Sequence, residues 1–103
     1  MVLVEFAMFP TDKGDSVSKY VSQIIDYIDK SGVNYQLTSM GTILEGEWEE
    51  VLSVISNCFK ILESFSDRIY ATMTMDYRKG RSSGITAKVE KIQNILDRNI
   101  KIS

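Results

Sequence analysis

Residues 34–46, NYQLTSMGTILEG, carry the reading that decides the fold. Two short extended segments, Asn34 to Thr38 and Thr42 to Gly46, flank Ser39-Met40-Gly41, whose glycine supplies either the turn of a hairpin or a bulge within one strand. A helix follows directly. Glu47, Glu49 and Glu50 crowd its first turn, where the macrodipole favours carboxylates, and Trp48, Val51, Leu52, Ile55, Phe59 and Leu62 form an apolar face running to about Phe65.

Towards the N-terminus, Val17, Tyr20, Val21, Ile24 and Ile28 recur at helical spacing from Ser16 to about Lys30, with Asp15 or Ser16 as N-cap and Gly32 just past the end. Before it, Val2 to Phe9 is a short apolar run closed by the turn chemistry of Pro10-Thr11-Asp12-Lys13-Gly14, which reads as a strand. Towards the C-terminus, Arg68 to Arg78 alternates. Ile69, Ala71, Met73, Met75 and Tyr77 face one way, and Tyr70, Thr72, Thr74, Asp76 and Arg78 the other. At the rise of an extended chain this strand spans about 36 Å, so one end is expected to project from the sheet or to pair with another subunit. Lys79 to Ser83 reads as a loop, and Ile85, Val89, Ile92 and Leu96 mark a closing helix.

The order is β-α-β-β-α-β-α. Its first six elements are the two split βαβ units of a ferredoxin-like fold. The expected class is therefore α+β, a ferredoxin-like βαββαβ sandwich with an additional C-terminal helix, formed as one domain over residues 1–103. Such a sheet carries helices on one face only, so self-association as a dimer or tetramer is expected.

Composition narrows the function. The 103 residues are 44% hydrophobic and 25% charged, a globular balance, and 12 basic against 14 acidic residues leave a net charge of −2. This is not the electrostatic footprint of a nucleic-acid or anionic-membrane binder. The sole cysteine, Cys58, lies on the apolar side of its helix with Ile55 and Leu62, reads as a small buried hydrophobe, and suggests a reducing compartment. The N-terminal MVLVEFAMFP has no basic n-region and is too short for a signal peptide or a membrane span, which points to the cytoplasm. Histidine is absent. That removes the commonest general acid/base, any Ser-His or Cys-His pair and most zinc sites, so neither a metal, nor a cofactor, nor catalysis is expected.

Residue types that could hold a ligand fall in a few places. In the segment from Met40 to Glu47, Gly41 lets a flat ligand approach the backbone while Thr42 and Glu45 offer hydrogen bonds; the same residues read equally as turn chemistry and a helix start. Asp76, near the end of the long strand, can accept from an aminated or cationic ligand, with Tyr35 or Tyr77 available for stacking, or it can be part of a solvated ion pair with Arg78. Ser16 and Ser18 at the first helix are capping residues or ligand hydroxyls. Arg78, Lys79 and Arg81, followed by Ser82, Ser83 and Gly84, form either an anion site or a solvated loop.

The stretches Gly14-Asp15-Ser16-Val17-Ser18-Lys19-Tyr20-Val21, Val33-Asn34-Tyr35-Gln36-Leu37, Met40-Gly41-Thr42-Ile43-Leu44-Glu45-Gly46-Glu47 and Met75-Asp76-Tyr77-Arg78 together resemble the small thiamine-binding (YkoF-like) protein family over nearly the whole chain. The resemblance implies a ferredoxin-like subunit, dimeric or tetrameric as a dimer of dimers, that binds thiamine or its hydroxymethylpyrimidine portion without converting it, in vitamin uptake, salvage or buffering. It implies Thr42 and Glu45 on the pyrimidine edge, Asp76 on the amino group or the cation, Ser16 and Ser18 as hydrogen-bond partners at the helix start, and Met40 against the ring. A regulatory sensor that acts on a protein partner through the exposed sheet face, and an enzyme using Glu45 and Asp76 as acid and base, are the competing expectations.

Overall fold

The computed structural model describes residues 1–80 and 84–101. Its elements are β1 (Val2–Pro10), α1 (Val17–Ser31), β2 (Asn34–Thr38), β3 (Gly41–Gly46), α2 (Trp48–Glu63), β4 (Ile69–Tyr77) and α3 (Gly84–Leu96). The strands form one antiparallel sheet in the order β2-β3-β1-β4. This is the ferredoxin-like α+β arrangement, with α3 added after it.

Alternation along β1 sets the two faces. Val2, Val4, Phe6 and Met8 are buried and join Leu44 of β3, Ile24 and Ile28 of α1, and Val51, Val54, Ile55, Cys58 and Leu62 of α2 in one core. Leu3, Glu5, Ala7 and Phe9 point to the opposite, open face. In α2 the buried stripe is shifted from the expected one. Val54 is inside with the expected Cys58, whereas Trp48 and Phe59 are exposed, because the helix meets the sheet on the side of Val51, Ile55, Cys58 and Leu62.

β4 does not overhang. It pairs residue for residue with β1, from Val2 opposite Tyr77 to Pro10 opposite Ile69, so the length of β1 accounts for the length of β4. Proline is tolerated at the end of a strand, where its missing N–H breaks no interior rung. α1 ends at Gly32, whose φ of 81° is the left-handed geometry that terminates helices. Ser16 occupies its N-cap position, but its side chain makes no capping hydrogen bond.

The segment 34–46 is a hairpin, with a turn one residue shorter than its composition suggests. Thr38 pairs with Gly41, leaving only Ser39 and Met40 as the loop. Neither has positive φ, so the turn lacks the primed geometry usual for two-residue hairpins. The Thr38 side chain holds it instead: Oγ1 donates to the Gly41 carbonyl at 3.0 Å and accepts from the Met40 amide at 3.3 Å.

Candidate functional site

The hairpin register decides which candidate residues meet. With Asn34 opposite Glu45 and Leu37 opposite Thr42, residues 42 and 45 stand an odd number apart on β3 and point to opposite faces of the sheet. Thr42 and Glu45 therefore do not share one ligand edge.

On the helix side, Thr42 is 4% exposed and lines a cavity of about 310 Å³ between α1 and the β2–β3 turn. Phe6 and Met8 of β1, Val21 and Ile24 of α1, and Leu37 of β2 form apolar walls, while Thr38, Ser39 and Thr42 bring hydroxyls. Met40 stands at the rim, 84% exposed. The cavity is thus greasy, with a short polar strip along the hairpin, which suits one flat ring held by its faces and oriented by a few hydrogen bonds. Gly41 also lines it, yet its need for glycine comes from the fold. A Cβ there would lie 2.8 Å from the Phe6 carbonyl oxygen on the neighbouring strand.

On the open face the register builds a row across the sheet: Asn34, Glu45, Leu3 and Asp76. Glu45 is 2% exposed, so it is not the turn-side surface carboxylate that its sequence position suggests. Its Oε1 accepts from Asn34 Nδ2 at 3.0 Å, and its Oε2 accepts from the Ile85 backbone N–H at 3.2 Å. Asp76 lies two strands away, about 10 Å at ordinary strand spacing, with Leu3 between them.

The remaining candidates stand apart from the cavity lining. Tyr35 faces the helices, and its hydroxyl donates to Asp29 Oδ1 at 2.7 Å, which raises the phenol pKa because that hydrogen bond stabilises the protonated form. Ser16 and Ser18 are exposed at the start of α1, before the turn that carries Val21. Of the basic loop, Arg81, Ser82 and Ser83 lie outside the described residues. Cys58 is fully buried, and desolvation pushes its thiol pKa up to about 12, so it is inert as a nucleophile at neutral pH. Among the described residues, no group of three or more His, Cys, Asp or Glu is placed to hold a metal ion, and no helix is long and apolar enough to cross a membrane.

Sequence reading missed Asn34 and the α1 wall of Val21, Ile24 and Ile25. The first was recoverable: a two-residue turn at Ser39-Met40 places Asn34 opposite Glu45 by counting back along the hairpin. The second was not, since the helical spacing that puts these residues on an apolar face does not say that a gap is left above them.

The chain is similar in sequence and structure to proteins of one kind. A UPF0045 protein of Methanocaldococcus jannaschii is 32% identical over 88% of this chain and 91% of the relative, and one of Mycobacterium tuberculosis is 31% identical over 92% and 94%. The solved structure of the Methanocaldococcus protein superposes with a TM-score of 0.79, covering 88% of this chain and 94% of that one. A candidate thiamine biosynthesis/salvage protein of Thermotoga maritima superposes with a TM-score of 0.78 at 26% identity, covering 88% and 97%. The sequence profile described as thiamine-binding protein matches residues 4–93. With that match over most of its length, the chain belongs to the thiamine-binding protein family.

Proposed function

We propose that this protein binds thiamine, or its hydroxymethylpyrimidine portion, without converting it, and that the pyrimidine ring occupies the cavity between α1 and the β2–β3 turn. The observation that carries the reading is the composition of that cavity: apolar walls from Phe6, Met8, Ile24 and Leu37, a hydroxyl strip ending at buried Thr42, and Met40 at the mouth. Its volume of about 310 Å³ is at the small end of ligand pockets, enough for one ring with the rest of the molecule at the rim. Membership of the thiamine-binding family supports the ligand class. The absence of histidine from the sequence and the interposition of Leu3 between Glu45 and Asp76 support binding without catalysis.

The test is calorimetric titration of thiamine, thiamine phosphates and hydroxymethylpyrimidine against the parent, Thr42→Val and Asp76→Asn. Loss of one neutral hydrogen bond is worth about 0.5–1.5 kcal/mol, so Thr42→Val should weaken binding roughly 2- to 12-fold while Asp76→Asn stays near the parent. The reverse pattern places the ligand on the open face. No heat with any of the three ligands overturns the reading.

The same proposal includes a homo-oligomer, a tetramer built from dimers, working in the cytoplasm as one ligand-binding domain. β4 supports the assembly, since Tyr70, Met73, Met75 and Tyr77 on its two faces are all substantially exposed. That same strip also favours a second reading, a sensor that presents the surface to a protein partner. A monomeric mass by light scattering at micromolar concentration would sink the oligomer and favour the sensor.

A further inference from the structure

Leu44 and Glu45 are neighbours on β3 with opposite fates to expect: one enters the core, and the other faces the open side of the sheet. Both are buried nonetheless. What covers Glu45 is the beginning of α3, whose Ile85 N–H donates to Glu45 Oε2 at 3.2 Å while Asn34 Nδ2 holds Oε1 at 3.0 Å. The first N–H groups of a helix have no intrahelical acceptor and carry partial positive charge, so a carboxylate is their best partner. Ordinarily the residue just before the helix supplies the acceptor. Here it comes from a strand 40 positions earlier.

We infer that Glu45 is a clasp that fastens α3 over the open face of the sheet, and that α3 is a releasable strap. Its packing fades away from the clasp. Ile85 and Val89 are half-buried, whereas Ile92 and Leu96 on the same stripe are 38% and 45% exposed. Among the described residues, the principal packing of α3 is against β3. The Cα radius of gyration, 15.1 Å against about 13 Å for a compact chain of this length, fits a helix that runs off the body. A strap held at one end opens there or not at all. While it is fastened, the Glu45 carboxylate is committed to Ile85 and Asn34. When it lifts, Glu45 is uncovered on the open face, in a row whose Asn34 and Asp76 are exposed already. The strap therefore gates the Glu45 carboxylate, and this holds whatever the cavity on the other face binds.

Hydrogen–deuterium exchange of the full chain tests the clasp, comparing the parent with Glu45→Ala and Glu45→Gln. Losing a helix-cap acceptor should cost the α3 amides from Val89 to Leu96 about tenfold in protection in Glu45→Ala, and a smaller but measurable factor in Glu45→Gln. Amides of β1 and β3 should keep their parent rates. Unchanged α3 protection in both Glu45 variants overturns the inference. So does an equal loss across β1, β3 and α3, which would make Glu45 part of the core. If Glu45→Ala does not fold, Glu45→Gln decides by the same comparison, and failure of both to fold also refutes the strap.

Discussion

Gly41→Ala should destabilise the protein, although replacing glycine in a strand ordinarily helps. The favourable part acts through the unfolded chain, where alanine has less conformational freedom to lose, and is worth about 0.4–1 kcal/mol. The unfavourable part is local. A Cβ at this position would stand 2.8 Å from the Phe6 carbonyl oxygen, 3.4 Å from the Phe6 carbonyl carbon and 3.7 Å from Ala7 Cβ. The nearest atoms are backbone of β1, the central strand that pairs with both β3 and β4, so they cannot swing away. The hairpin has to shift instead, and overpacking of this kind costs about 1–3 kcal/mol. The balance is a loss of about 1–2 kcal/mol, which for a domain near this size lowers Tm by roughly 4–16 °C. Gly46→Ala is the internal control. Its nearest atom, at 2.9 Å, is Oε1 of exposed Glu50, which can rotate aside, and Val51 Cγ2 at 3.3 Å needs to give only a few tenths of an ångström. Differential scanning calorimetry of both variants should show the larger drop in Gly41→Ala. An equal shift, or an unchanged Tm in Gly41→Ala, would refute the reasoning that glycine stands there to admit β1.

Leu44→Ala removes a fully buried side chain from the centre of β3 and should cost about 2–5 kcal/mol in urea unfolding; a loss below 1 kcal/mol would mean that the site collapses around the gap. Cys58, with its thiol pKa near 12, should resist a thiol reagent at pH 7.5 in the native state and react only as fast as the chain opens, so rapid labelling without denaturant contradicts its burial. Asp12 accepts from the Ser66 hydroxyl at 2.5 Å and the Asp67 N–H at 3.0 Å, and these bonds, the hydroxyl foremost, lower its pKa. A depressed folded-state pKa means that the stabilisation is present above the unfolded value near 4 and is lost as pH falls through the folded one. Asp12→Asn should therefore narrow the stability difference between pH 7 and pH 2.5, measured by urea midpoints, and an identical difference would remove Asp12 from the acid response.

The element order, the burial of Cys58 and the end of α1 at Gly32 were legible in the residues because each depends on local chemistry: periodicity, apolar spacing and a left-handed terminating glycine. The candidate site was legible only in part. Composition brought Thr42 and Glu45 together, since both are polar residues near glycines, although alternation alone turns residues three apart on one strand to opposite faces; what stayed hidden is which residues lie across from them, because register depends on whether the turn holds two residues or three. That turn is closed by the Thr38 hydroxyl instead of by a left-handed residue, so the usual turn signals understate the strand by one position. The burial of Glu45 and the cavity beside Thr42 belong to tertiary structure altogether. Each is made where elements far apart in sequence approach, α3 over β3 in one case and α1 beside the hairpin in the other, and no local pattern encodes the distance at which two such surfaces stop.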